Sequence, residues 1–204
     1  MSLFPMFLKL EGRSCLVVGA GTIGQSKIRS LLVAGASVRV VAPRANAVVS
    51  EWARSGVITW EARDFNTGDL DGAFLVVAAT SSSDVNQATF REAQRRGVLC
   101  NVVDDPAHCD FYYPAVVRRG QLQLAISTGG HSPALAQRLR RELEAKFGAE
   151  YAGWLEELGR ARQRLFASSL EPKDRRRRLH ELASRQAFEA LQPRSQAKGE
   201  IHDG

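Results

Sequence analysis

Five apolar runs, six to eight residues long, alternate with helix-like segments through the first half of the chain. They are SCLVVGAG (14–21), SVRVVAP (37–43), VITWEA (57–62), AFLVVAAT (73–80) and VLCNVV (98–103). Valine, leucine and alanine follow one another almost continuously instead of alternating with polar residues. That is the pattern of strands covered on both faces. Helices are expected between them, over 22–34, 44–55 and 84–96. Strand–helix–strand alternation at this spacing predicts an α/β fold, a Rossmann-type doubly wound parallel sheet.

The pattern then changes. YYPAVVRRGQLQLAIST (112–128) reads as two short strands joined at RRGQ, a hairpin. In the following STGGHSP, Ser132 suits a helix N-cap and Pro133 the first helical position. Leu135, Leu139 and Leu143 recur at i, i+4 and predict that helix's buried stripe. A hairpin and one helix cannot bury their own apolar face, so this segment is expected to dock on the first domain, on another subunit, or on both. From 149 to about 191 two helices are expected, broken near SSLEPKD (168–174), with Leu155, Leu158, Leu165, Phe166, Leu179, Leu182, Phe188 and Leu191 as buried stripes. RRRR (175–178) reads as a solvated helical face, and the polar tail after Pro193 as disordered. The expected division is therefore a nucleotide-binding domain over 1–113, a dimerisation segment over 114–147 and a helical domain over 148–204.

A chain of 204 residues buries a real core. A hydrophobic fraction of 44% and a charged fraction of 25% are those of an ordinary globular protein. No apolar run reaches the roughly 20 residues of a membrane span, and MSLFPMFLKL lacks the basic start and small-residue cleavage site of a signal peptide. Cys15, Cys100 and Cys109 form no CxxC pair and read as reduced thiols, which points to a cytoplasmic protein without a metal site. The net charge of +6 is uneven: residues 1–113 are neutral, while residues 114–146 carry 6 basic side chains against 2 acidic ones. The electropositive middle suggests an anionic ligand. No helix-turn-helix or zinc-finger pattern accompanies it, which argues against nucleic acid.

Gly19-Ala20-Gly21-Thr22-Ile23-Gly24 fits GxGxxG, closes the first strand and opens a helix. The first glycine permits the tight turn, the second lets backbone approach a pyrophosphate, and the third permits close helix–sheet packing. An acid is expected after the second strand to grip the adenosine ribose. Pro43 and Arg44 stand there instead. An arginine suits a 2′-phosphate, so these residues alone leave NAD and NADP open. Thr80, after the fourth run, joins the candidate nucleotide contacts.

NVVDDP (101–106) places two acids at the exit of the fifth run. In a doubly wound sheet the cofactor lies across the carboxyl ends of the strands. Asp104 follows its strand by one step and is expected to project into that crevice. Asp105, directly before Pro106, suits the turn.

FPMFLKLEGRSCLVVGAGTIG, VVAP, VVAATSSSDVN, CNVVDDP and FYYPAVVRRGQLQLAISTGGHSPALAQRLRREL occur in that order. Over 4–147 the chain thereby resembles the precorrin-2 dehydrogenase / sirohydrochlorin ferrochelatase family, the module that completes siroheme synthesis. The resemblance implies NAD as cofactor, a homodimer, precorrin-2 as substrate, and in some members insertion of Fe²⁺ into sirohydrochlorin. It maps the family's catalytic aspartate onto Asp104, and nucleotide contacts onto Thr22, Ile23, Pro43 and Arg44. The family often has three consecutive glycines where Ala20 interrupts them here, and a serine that is phosphorylated in some members is here Thr128.

Such tetrapyrroles carry eight carboxylates, which agrees with the basic middle segment. Candidate substrate contacts are Arg118, Arg119, Arg138 and Arg141, with Ser127, Thr128, Gly129, Gly130 and His131 as an amide-rich anion site at a helix start. Against the arginines stand intrahelical pairs, Arg138 with Glu142 and Arg140 with Glu144. Asp104 is the expected general base. A dehydrogenase without chelatase activity and a non-catalytic nucleotide-sensing dimer are the alternatives.

Overall fold

A computed structural model describes residues 3–191. The tail expected to be disordered lies outside them. The chain divides into two compact units, Met1–Tyr113 and Pro114–Gly204.

The first unit is a five-stranded parallel sheet. Its elements run β1 (Ser14–Ala20), α1 (Thr22–Val33), β2 (Ser37–Ala45), α2 (Ala47–Arg54), β3 (Thr59–Glu61), β4 (Leu75–Ala78), α3 (Ser83–Arg96) and β5 (Leu99–Val102). The strand order is β3-β2-β1-β4-β5, and every pairing is parallel. Chain direction across the sheet reverses between β1 and β4, the switch point at which such folds take their ligands.

The unbroken apolar runs follow from burial of both faces. Along β1, Cys15 and Val17 enter one cluster with Ile28 and Leu31 of α1 and Val49 of α2. Leu16 and Val18 enter the opposite cluster with Ala93 of α3 and Cys100 and Val102 of β5. Strand side chains alternate between faces, so adjacent valines serve different cores. Burial pushes the Cys15 thiol up to about 11 and the Cys100 thiol up to about 12, leaving both protonated and inert at neutral pH.

One buried carboxylate anchors the sheet's far side. Asp69 is the third residue of a 3₁₀ turn (Thr67–Leu70) and is only 5% exposed. It accepts hydrogen bonds from Arg63 at 2.9 and 2.5 Å, from the Asn66 amide at 2.8 Å and from Arg39 of β2 at 3.4 Å. Arg39 also reaches Glu61 at 3.0 Å, bracing β2 against β3. Burial alone would raise Asp69, but the bonds from Arg63, Asn66 and Arg39 prevail and hold it below its ordinary value.

The second unit opens with an antiparallel hairpin, β6 (Ala115–Arg119) and β7 (Leu122–Ile126), followed by α4 (Pro133–Lys146), α5 (Glu150–Ala167), α6 (Pro172–Leu182) and α7 (Arg185–Leu191). Ser132 caps α4 by accepting from the Leu135 amide at 3.2 Å, with Pro133 at the first position. The sequence pattern errs in two places here. A second break at Ala183 and Ser184 makes three C-terminal helices of the expected two. The expected stripes are only partly covered: Ala136 is the buried position of α4 while Leu135 is 38% exposed, and Phe166 and Leu182 are exposed as well. Phe188 is buried, packed on Tyr151 at 4.4 Å and Trp154 at 4.6 Å between ring centres. Periodicity reports which side of a helix is apolar, not whether enough chain is present to cover it.

Asp69→Asn should lower the unfolding midpoint by roughly 5–10 °C at pH 7, because Arg39 and Arg63 lose a charged acceptor. The folded carboxyl sits below its unfolded value. The stabilisation is therefore complete above about pH 4 and is lost as the pH falls through the folded value, so the gap between variant and wild type should close in acid. A gap unchanged down to pH 3 rules this ion network out as its source.

Candidate active site at the carboxyl edge of the sheet

The parallel strands deliver their carboxyl ends to one edge, and the glycine loop occupies the middle of it. Gly19 has φ +106, and a Cβ there would run into the carbonyl of Ala79 beyond β4. A Cβ on Gly24 would collide with the Gly19 carbonyl. Both glycines are thus required by packing within the protein itself. Gly21 differs. It has an ordinary extended backbone, φ −80 and ψ −168, and a Cβ there meets nothing within 4 Å. As the N-cap of α1 it offers no side-chain bond, and no other side chain caps the helix. The first amides of α1 and its positive dipole end are left for an anion beside an open Gly21, which is the arrangement a dinucleotide pyrophosphate fits. Thr22 and Ile23 are exposed at the same point, Ile23 by 49% despite its apolar side chain.

Pro43 and Arg44 lie at the end of β2, where Ala45 is paired with Ala20 of the loop. Both are exposed, and β2 continues through them instead of ending before them. The next residue, Asn46, caps α2 through the Val49 amide at 3.0 Å and donates to Gln25 of α1 at 2.8 Å. No carboxylate stands at the ribose position, and Arg44 makes no ion pair among the described residues. Thr80 follows β4 with its hydroxyl donated to Asn86 at 2.8 Å and accepting from the Ser82 amide at 3.1 Å. Its side chain organises the start of α3, and its own backbone N–H and carbonyl are taken up by the Asn86 side chain at 3.3 and 3.1 Å.

Asp104 completes the edge on the β5 side. Backbone bonds carry the register across: Ala79 donates to Val18 at 2.8 Å and Val103 to Ala78 at 2.9 Å. Asp104 is exposed, its carboxylate makes no hydrogen bond among the described residues, and it is the sole non-glycine residue there with positive φ, at +60. The two acids of NVVDDP part company. Asp105 carries the turn, its carboxylate meeting His108 Nδ1 at 2.6 Å and its carbonyl accepting from the His108 amide at 3.0 Å. His108 in turn stands edge-on to Phe90 at 4.7 Å.

Two residues that sequence reasoning passed over also shape this edge. Asn101 is buried in β5, where its amide donates to the Phe111 carbonyl at 2.8 Å and to Cys109 Sγ at 3.3 Å, tying the returning chain to the strand. Lys27 is half-buried on α1, with its ammonium 3.8 Å from the centre of the Tyr113 ring. The signals were there to be read. Asn101 interrupts an apolar strand, and Lys27 lies three residues after Gly24 and four before Leu31, on the core-facing stripe.

The remaining candidates belong to the second unit. Ser127 accepts from the Gly129 amide at 3.1 Å and Thr128 from the Ser132 amide at 3.1 Å, so both hydroxyls shape their own loop. Gly129 and Gly130 have φ +60 and +84. His131 is exposed. Arg118 is exposed and unpaired among the described residues, whereas Arg138 lies 3.4 Å from Glu142 along its own helix. Arg119 is spent structurally, donating to the carbonyls of Phe147 at 2.7 Å and Glu144 at 3.0 Å at the end of α4.

Comparison with known proteins identifies the family. Residues 6–115 match a family described as putative NAD(P)-binding, and residues 119–146 match the sirohaem biosynthesis protein central family. The chain is 42% identical over 168 residues to siroheme synthase 1 of Aeromonas hydrophila, covering 82% of this chain and 36% of that protein. It is 44% identical over 151 residues to the siroheme synthase of Methylobacillus flagellatus, covering 74% and 32%. It thus spans about a third of the length of these curated relatives. Among solved structures, the precorrin-2 dehydrogenase SirC superposes with a TM-score of 0.81 at 30% identity, covering 93% of this chain and 94% of that one. No helix among the described residues is long and apolar enough to cross a membrane.

Gly21→Asp separates ligand binding from folding. Aspartate is a favourable N-cap in the extended backbone found there, and the space for it is open. The unfolding midpoint should hold or rise. Affinity for NAD⁺ by calorimetry should fall at least tenfold, because the new carboxylate meets the pyrophosphate. Undiminished affinity would remove the pyrophosphate from this loop.

Proposed function

Because the chain belongs to the NAD(P)-binding family of siroheme-biosynthesis proteins that includes precorrin-2 dehydrogenase, we propose that it oxidises precorrin-2 to sirohydrochlorin, with NAD⁺ as hydride acceptor and Asp104 as general base. The observation that carries this reading is the left-handed backbone at Asp104. A tight turn after a strand is served best by glycine. A carboxylate kept in that conformation, without a hydrogen bond, at the edge that bears the glycine loop, is retained for its side chain.

The oxidation removes two hydrogens from the macrocycle. One leaves with its electron pair as hydride, for which bound NAD⁺ supplies the acceptor. The other leaves as a proton, and Asp104 takes it. Exposure then lets Asp104 pass the proton to water. The uncapped start of α1 and the space at Gly21 hold the dinucleotide's phosphates, and Arg44 with the backbone around Pro43 meets its ribose. In the second unit, Arg118 and the amides of the Thr128-Gly129-Gly130 loop are groups that carboxylates take readily. The relatives' name, siroheme synthase, favours a second use of the same carboxylate, removal of pyrrole N–H protons as Fe²⁺ enters as substrate. A cytoplasmic homodimer is the proposed setting.

Asp104→Ala should reduce turnover of precorrin-2 at least 100-fold under anaerobic conditions, followed as sirohydrochlorin absorbance, with NAD⁺ affinity within twofold of wild type. A matching loss of NAD⁺ affinity would assign Asp104 to the nucleotide instead. Absence of turnover in the wild type with both NAD⁺ and NADP⁺ would falsify the dehydrogenase reading.

A further inference from the structure

Past the Ala79 amide, which donates to Val18 at 2.8 Å, the chain leaving β4 has no ladder, and Thr80 makes no backbone–backbone hydrogen bond among the described residues. Yet this is where the glycine loop presses closest. A Cβ on Gly19 would collide with the Ala79 carbonyl and stand 3.1 Å from the Thr80 nitrogen. A single side chain takes over from the ladder. Asn86 of α3 accepts through Oδ1 from the Thr80 amide at 3.3 Å and from the Thr80 hydroxyl at 2.8 Å, and its Nδ2 donates to the Thr80 carbonyl at 3.1 Å. The orientation of that side-chain amide is set by its partners, since a backbone N–H only donates and a carbonyl only accepts. Asn86 is half-buried and fourth in α3, a position at which asparagine is a poor helix former. The other polar side chains of the turn do not share its work: Ser82 caps α3 by accepting from the Val85 amide at 3.4 Å, and Ser81, Ser83 and Asp84 are exposed.

We infer that Asn86 is a positioning residue for the dinucleotide: its side-chain amide stands in for the missing ladder beyond β4 and holds the Ala79–Thr80 peptide against Gly19, so that the crevice at the switch point is ready before NAD⁺ arrives. The inference rests on the placement of the pyrophosphate at the glycine loop. Main-chain contacts set where the edge lies, and Asn86 sets how firmly Thr80 keeps to it. Without the clamp, the half-buried amide and carbonyl of Thr80 have water as their remaining partner, and the turn gains by swinging out to reach it. The glycine loop then loses its wall on the β4 side. Binding must restore that wall, and affinity falls by the fraction of molecules that still hold it. The strands below Ala79 keep their pairing with β1 and β5, so the effect is confined to the crevice.

The test compares Asn86→Ala with Thr89→Ala in the full chain. Thr89 is buried one turn further along α3, its hydroxyl donated to the Val85 carbonyl at 2.8 Å, so its loss weakens the helix without touching the turn. Asn86→Ala should lower NAD⁺ affinity about tenfold by calorimetry, as when about a tenth of the molecules hold the ordered turn. Thr89→Ala should stay within twofold of wild type, even where its unfolding midpoint falls as far. In turnover the KM for NAD⁺ should rise in Asn86→Ala, with kcat at saturating NAD⁺ within threefold of wild type, because bound nucleotide restores the turn. Hydrogen exchange at the Thr80 amide should quicken in Asn86→Ala and slow again when NAD⁺ saturates the protein. Unchanged NAD⁺ affinity in Asn86→Ala, an equal loss in Thr89→Ala, or Thr80 exchange that is the same with and without Asn86 overturns the inference. If Asn86→Ala does not fold, Asn86→Gln, which keeps the amide but overshoots Thr80 by a methylene, is read by the same measurements. Failure of the underlying reading looks different: Gly21→Asp would then keep wild-type NAD⁺ affinity, whatever the Asn86 variants show.

Discussion

The approach of two backbones, Gly19 at the end of β1 and Ala79 beyond β4, is the constraint on which the site depends. These strands flank the point where chain direction across the sheet reverses, so the crevice opens between them. A side chain at Gly19 would push the edge apart at Ala79, and one at Gly24 would lift α1 from the loop. With both absent, α1 starts where its free amides meet the crevice. The same register carries Val103, and hence Asp104, to the adjacent position. Cofactor cradle and proposed base are therefore placed by one set of main-chain contacts. Side-chain chemistry is added to an edge already in place.

Three acids of the first unit show how environment divides one functional group among different tasks. Asp69 is buried and surrounded by donors, so its charge is stabilised and its work is to hold β2, β3 and the 3₁₀ turn together. Asp105 is half-buried and spends its carboxylate on His108 in the turn it makes. The Asp104 carboxylate makes no hydrogen bond among the described residues, and its backbone sits in a conformation that costs free energy. An exposed carboxylate without an ion pair contributes little to stability, which is in keeping with the role proposed for it.

Much of this was legible in the sequence because a doubly wound sheet leaves a strong imprint. Both faces of β1, β4 and β5 are buried, so their apolar runs are continuous and their positions unmistakable. GxGxxG marked the loop, and DDP marked the end of β5. The ends of β2 were less clear, because Pro43 and Arg44 look like a turn, yet the strand runs through them to pair Ala45 with Ala20. Lys27 was passed over for a related reason: a single charge on an amphipathic helix is assigned by default to the solvent side. Only the packed structure shows that its ammonium lies over the ring of Tyr113, eighty-six residues away in the chain. The arginines of the central segment were indistinguishable by pattern. Their separation into a helix-end cap, Arg119, an intrahelical pair, Arg138, and an unpaired group, Arg118, rests on which carbonyls and carboxylates happen to lie within reach.

The second unit shows what sequence periodicity leaves undetermined. In α5 and α6 none of the described residues is buried, although Leu155, Leu158, Leu165 and Leu179 mark an apolar side. Phe166 has the guanidinium groups of Arg162 and Arg175 over its ring, at 4.6 and 4.5 Å from the centroid, and is still 52% exposed. Cation–π contacts of that kind contribute at most about 1 kcal/mol each at exposed sites. Covering a leucine or phenylalanine fully is worth roughly 1.5–3 kcal/mol. Tyr151, Trp154 and Phe188 form a packed aromatic cluster among these helices, and it leaves the indole N–H of Trp154 buried without a partner among the described residues. A helical pair with so little of its apolar side covered gains most from further apolar surface.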